Sequence, residues 1–241
     1  MKKALTLLLA AMAVPASGQT VEVFELPEGC EAFMTVQTQE CSVDHMFTCE
    51  GDPETHQRRV SITENGVNYL GTIDEETQWL ESVHIGAGHR EQLSEEITDR
   101  ASFTDLVEQG IDTYDFTTES EEVGQRRYVG QDSLTGEQVT IDGVLLDETQ
   151  YNITAYDADG EVLWSSEGNE YISQRHRLFF SGTSTISGPN GSFDSEDAPV
   201  EFLFAGETGF LSANPKYGCG ETLSSAPSSL IDRLEALQNE L

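Results

Sequence analysis

The constraint that weighs most on this chain is an alternation of apolar and polar residues that turn formers keep interrupting. It is clearest on either side of Asp157-Ala158-Asp159-Gly160. With those four residues as the loop, Tyr156 faces Glu161, Ala155 faces Val162 and Ile153 faces Trp164. Ile153, Ala155, Val162 and Trp164 then share one face, as a half-buried antiparallel pair requires. A second hairpin centres on Asn65-Gly66, the strongest two-residue turn signal. It sets Ile62 opposite Tyr69 and gathers Val60, Ile62, Val67 and Tyr69 on one side.

The same reading predicts strands over 32–41, 46–50, 77–85, 111–117, 125–129, 138–144, 171–180, 200–205 and 209–212. Arg177 to Phe180 and Val200 to Phe204 are apolar on both faces, which suits central strands. The expected fold is mainly β, an antiparallel barrel, half-barrel or sandwich of about a dozen strands. Two helices interrupt it. Ser102 to Asp105 forms a capping-box-like start, followed by Leu106 and Val107 and stopped by Gly110. Residues 228–241 place Leu230, Ile231, Leu234, Leu237 and Leu241 on one side of a C-terminal amphipathic helix. The stretch 187–199, rich in Gly, Ser and Asp, reads as the longest loop.

Residues 1–18 have the three parts of a secretory signal peptide: Lys2-Lys3, an apolar run from Ala4 to Val14, and small residues before Gln19. Cleavage is expected within Ala16–Gln19, leaving a single domain over 19–241. The run is too short to span a bilayer, which takes about 20 residues, and no later segment approaches that length. The expected address is therefore the periplasm or the exterior of a bacterial cell. There the four cysteines, Cys30, Cys41, Cys49 and Cys219, should form two disulfides. Of the three pairings, the favoured one joins Cys41 to Cys49 across a hairpin and Cys30 to Cys219 between the ends of the domain.

The formal charge is −32, from 44 acidic and 12 basic residues. Such a field repels nucleic acid and anionic headgroups, so a nucleic-acid partner is not expected; it attracts cations, so weak divalent-cation binding is. A salt-adapted surface accounts for most of the charge. The sequence has no G-x-S-x-G elbow, no H-E-x-x-H and no glycine-rich phosphate loop followed by lysine. After processing, Lys216 is the sole lysine, which argues against Schiff-base chemistry.

Among the five histidines, His84 and His89 flank Gly86-Ala87-Gly88 but lack an obvious third metal ligand, and His84 should point to solvent. Asp44, His45, Cys49 and His56 resemble a ligand cluster only if Cys49 is a free thiol. His176 lies between Arg175 and Arg177. The Asp157–Glu161 run lacks the remaining ligands of a calcium loop, and Asp194, Glu196 and Asp197 form a loose acidic group. No cofactor and no resident metal are expected, and no catalytic residue is assigned. The favoured function is a non-catalytic binding, carrier or envelope-maintenance protein. Trp79, Trp164, Phe179, Phe180, Phe202 and Phe204 are its candidate liners. It would take a hydrophobic ligand, or a protein partner through the C-terminal helix. The alternative is a secreted hydrolase using paired carboxylates or a loosely held cation.

Overall fold

A computed structural model describes residues 22–220. The signal peptide and the helix expected at 228–241 lie outside the described residues. Thirteen strands and one short helix follow one another: β1 (Cys30–Thr38), β2 (Ser42–Cys49), β3 (Gln57–Thr63), β4 (Gly66–Ile73), β5 (Trp79–His84), β6 (His89–Leu93), α1 (Phe103–Gln109), β7 (Ile111–Glu119), β8 (Arg126–Ile141), β9 (Val144–Tyr156), β10 (Val162–Ser173), β11 (Leu178–Gly188), β12 (Gly191–Glu196) and β13 (Pro199–Leu203). They form one antiparallel sheet, a meander from β1 to β12 to which β13 adds beside β1. One continuous sheet is not a two-sheet sandwich, and among the described residues no ladder closes it into a barrel.

The sheet is nevertheless curled. Laid flat, its outermost strands β12 and β13 would lie about 57 Å apart at about 4.8 Å per strand. Only Asp197 and Ala198 link them, and such a link spans at most about 11 Å. At the seam the β1–β2 turn meets β12 through polar bonds: Ser195 Oγ donates to Glu40 Oε1 (2.7 Å), Glu196 N donates to the same oxygen (3.0 Å), and Gln39 N donates to Ala198 O (3.0 Å). Helix α1 fits within the curl. Ser102 caps its first turn by accepting from Asp105 N, and Gly110 ends it at φ 83°. Phe103 and Leu106 pack with Ile172 of β10, while Arg177, just before β11, reaches Glu76, just before β5.

The two halves of the sheet are covered differently. Across β1–β4 the outer face carries a second layer, in which Phe24, Leu26, Phe210 and Leu211 pack on Val43, Phe47, Val60 and Ile62. Two disulfides pin this region, Cys30–Cys49 and Cys41–Cys219. The pairing is the reverse of the expected one. β2 runs uninterrupted between Cys41 and Cys49, which puts them about 26 Å apart at about 3.3 Å per residue. Cys30 instead lies directly opposite Cys49 in the β1–β2 ladder. The bonds close loops of 19 and 178 residues, which the chain-entropy model rates at about 3 and about 5 kcal/mol.

Several local expectations shift by a residue. Val162 pairs with Tyr156 and Trp164 with Ala155, so Leu163 is a bulge and the loop is 157–161. At the other hairpin, Thr63 pairs with Gly66 and Ser61 with Tyr69. The bulge at Asn68 moves Leu70 onto the outer core and turns Tyr69 to the concave face, a full exchange because strand side chains alternate with period two. Residues 187–199 are no long loop: Gly188 pairs with Gly191 in the β11–β12 hairpin. β13, expected to be central, is the last strand in the order, and Phe202 and Leu203 are buried because core packs on both its sides.

Candidate functional site

The concave face of the curl lines an open cavity of about 760 Å³. β7 shows how its wall is built. Asp112, Tyr114, Phe116 and Thr118 are buried, whereas the intervening residues are exposed or half-buried. The partner face of β8 presents Arg126, Tyr128, Gly130 and Asp132. A Cβ on Gly130 would lie 2.3 Å from Asn152 O and 2.6 Å from the Tyr114 hydroxyl, so only glycine lets Tyr114 fold over β8 here. Part of the wall is aromatic. Trp79 meets Phe116 and Tyr128 edge-on at 5.7 and 5.5 Å, and Tyr128 meets Trp164 at 6.1 Å.

Beside this aromatic wall is a fully partnered carboxylate. Glu91 Oε2 accepts from Thr118 Oγ1 (2.6 Å) and the Tyr128 hydroxyl (2.8 Å), while Oε1 faces His89 Nε2 (3.1 Å) and accepts from Arg126 Nη1 (3.3 Å). Burial acts to raise the Glu91 carboxyl, but these bonds and the Arg126 charge outweigh it and hold Glu91 below the usual range. His84 lies across the β5–β6 ladder from His89 with the rings stacked, 4.5 Å between centroids and 23° from parallel. Burial, then the neighbouring His89, lowers His84 to about 4, so it is neutral at pH 7.

A third partner for the two histidines therefore exists in Glu91, with ligand atoms of all three within 4.8 Å. Rings this close to parallel cannot both point at one ion about 2.1 Å from each nitrogen unless one turns. Arg126 already supplies Glu91 with a positive partner.

Farther along the same wall the carboxylates lack such support. Asp112 lies opposite Asp132 in the β7–β8 ladder, Asp132 opposite Tyr151, and Tyr151 opposite Gly168, two residues before Glu170. Asp112 accepts Ser102 N at 2.9 Å. Asp132 is 7% exposed, and among the described residues neither its carboxylate nor that of Glu170 accepts a hydrogen bond. Burial, followed by the charges of Glu170 and Asp112, pushes Asp132 well above the carboxylate range. Burial raises Glu170 against the pull of Arg59, and burial raises Asp112 to about 6. Arg59, which also lines the cavity, is 3.9 Å from Asp44 and lies over the Tyr69 ring at 5.1 Å.

Of the six expected liners, Trp79, Trp164 and Phe179 line the cavity. Phe180 and Phe202 are core residues packed edge-to-face at 5.2 Å, and Phe204 stacks near His176. His176 also stacks on Phe33. The Asp44/His45/Cys49/His56 group does not assemble. Asp44 faces inward, His45 is buried on the outer face against Phe24 and Thr35, and Cys49 is a disulfide half. Asp157 Oδ1 accepts from Asp159 N and Glu161 N, which accounts for that run as a turn. Asp194 accepts from Thr185, and Asp197 from Glu40 N.

Sequence reasoning missed Asp112, Asp132, Glu170, Arg59, Arg126 and Glu91. A signal for two of them was present: Asp112 and Asp132 occupy the faces that alternation assigns to Tyr114, Phe116 and Tyr128. Glu170 and Glu91 carry no such mark among 44 acidic residues. No protein-family model, curated protein or solved structure matches this chain.

Proposed function

We propose that this is an exported binding or carrier protein that holds a small amphipathic molecule inside its curled sheet. The observation that carries the reading is the cavity, about 760 Å³, within the size range of sites for small ligands. Its lining supports the same view: an aromatic wall to cover an apolar body, and a few polar groups to orient it. A wall so built costs stability. Among the described residues Asp132 and Glu170 forgo hydrogen bonds that a purely structural core would supply, and unsatisfied groups of this kind collect at functional sites. Export is supported by the signal-like residues 1–18 and by two disulfides.

A second reading, a carboxylate-dependent hydrolase, is favoured by the neighbouring pair Asp132 and Glu170. Paired-carboxylate hydrolysis needs one group held ionised while the other donates a proton. Here neither receives a hydrogen bond from the described residues, which suits holding a ligand better than turning one over.

Native mass spectrometry of the disulfide-bonded protein, isolated from the cells that make it, tests the proposal. The expected result is a small-molecule adduct released on unfolding. A ligand-free mass, with no added small molecule changing the Trp79 and Trp164 fluorescence, would overturn it. Turnover of a chromogenic glycoside that Glu170→Gln abolishes would transfer the assignment to the hydrolase.

A further inference from the structure

Resting on the binding reading above, we infer that the cavity's ligand carries an organic cation, a protonated amine or its alkylated equivalent, seated among Asp112, Asp132 and Glu170. Three observations converge. Asp132 is 7% exposed, lines the cavity and accepts no hydrogen bond among the described residues. A carboxylate in that state costs up to several kcal/mol in order-of-magnitude terms unless a proton, a cation or cavity water joins it. Its ladder neighbour is another acid, Asp112, and like charges directly opposite destabilise a sheet. Tyr114 stands among all three carboxylates, and Tyr151 lies between Asp132 and Glu170. Aromatic faces beside carboxylates are the two elements that recognise an ammonium group.

The alternatives fit less well. A calcium ion gathers oxygens about 2.4 Å from itself, so that they lie within about 4.8 Å of one another. Among the described residues, no three carboxylates of this wall meet that spacing; a larger organic cation can bridge them. An anionic ligand would need a free positive group. Of the three arginines that line the cavity, Arg58 is bonded to Asp52, Arg126 is bonded to Glu91, and Arg59 is paired with Asp44 and lies over the Tyr69 ring.

Binding should also expel protons. The groups facing Asp132 are Asp112 and Tyr114 from β7, Tyr151 from β9, Glu170 from β10 and, through Glu170, Arg59 from β3. Asp112 in turn feels Asp99 and Asp105. Without ligand this group holds protons that a cation replaces, so affinity for an amine should rise with pH across neutrality.

Three probes that differ only at one end separate the possibilities: dansylcadaverine, its N-acetyl derivative and the matching dansyl carboxylate. They are titrated at about 0.15 M salt to screen the surface field. The amine should bind at least about tenfold more tightly than the acetamide, with proton release seen by calorimetry in two buffers. Asp132→Asn and Glu170→Gln should each remove about tenfold of amine affinity and leave the acetamide unchanged. Glu161→Gln, which removes one exposed charge, should change neither. Equal binding of amine and acetamide, or amine binding indifferent to Asp132→Asn, would overturn the cation while leaving the binding cavity standing. If none of the three binds, both proposals fall.

Discussion

Glu91 and Asp132 are buried carboxylates on one concave wall, yet they are built in opposite ways. Glu91 has two hydroxyl donors, an arginine and a histidine around it, and burial is outweighed. Asp132 has no donor among the described residues and has acids for neighbours, so burial prevails and its carboxyl is raised. Both are buried, at 2% and 7% exposed; satisfaction is what separates them. The lesson is that a buried charge becomes a structural strut when the fold supplies its partners and a recognition group when the partner must come from outside.

The largest effect should come from breaking the satisfied side. Glu91→Ala strands Arg126, Thr118 and Tyr128 in a buried place and should cost about 3–5 kcal/mol of stability, read as a lower denaturation midpoint at unchanged m-value. Because Glu91 is held below its ordinary range, its contribution is complete above that range. It fades as acid protonates it, so the gap between variant and parent should close toward low pH. A variant as stable as the parent at pH 7 would show that the Glu91 network carries no weight.

The opposite sign is expected at Asp132. A carboxyl raised by burial binds more protons folded than unfolded, so it subtracts stability progressively as pH climbs past the ordinary carboxylate range. Asp132→Asn should therefore stabilise at about pH 8.5, by about 1–2 kcal/mol because the amide is still buried without partners. Near pH 3 the difference should vanish. Destabilisation at high pH would mean that Asp132 has a partner of its own and that the contrast with Glu91 is false.

How much of this contrast the sequence carried follows from where each signal originates. Alternation is local, so most strands and α1 were legible, with Ser102 and Gly110 placed as its caps. But 138–144 and 171–180, each read as one strand, contain the β8–β9 and β10–β11 turns, 209–212 forms no strand, and β6 went unread. The β2 disulfides were not, because reading 32–41 as one strand hid the turn before Ser42 and left Cys41 and Cys49 looking like hairpin neighbours. Bulges at Asn68 and Leu163 each displaced a register, and the first sent Tyr69 into the cavity. The curl depends on a link of two residues joining the outermost strands, which no local pattern announces. Asp112 and Asp132 stood out of place on apolar faces, but only the ladder shows them opposite each other. Glu91 and Arg126 are 35 positions apart and become partners through three successive strands, β6, β7 and β8.

The finest test sets two tyrosines against each other. The Tyr128 hydroxyl donates to ionised Glu91 at 2.8 Å, whereas that of Tyr151, on the Asp132 side, pairs with Ser166 Oγ at 2.7 Å. Both substitutions to Phe keep the ring and delete one bond of nearly equal length. A bond to a charged acceptor contributes about 1.5–3 kcal/mol and a neutral one about 0.5–1.5. Tyr128→Phe should therefore cost about 1 kcal/mol more than Tyr151→Phe at pH 7, measured as the difference in unfolding free energy. Acidification below the Glu91 range should erase that excess, since the acceptor loses its charge while Ser166 is unaffected. If the two variants remain equal at every pH, the Glu91 side gains nothing from its charge, and the distinction between strut and recognition group loses its energetic basis.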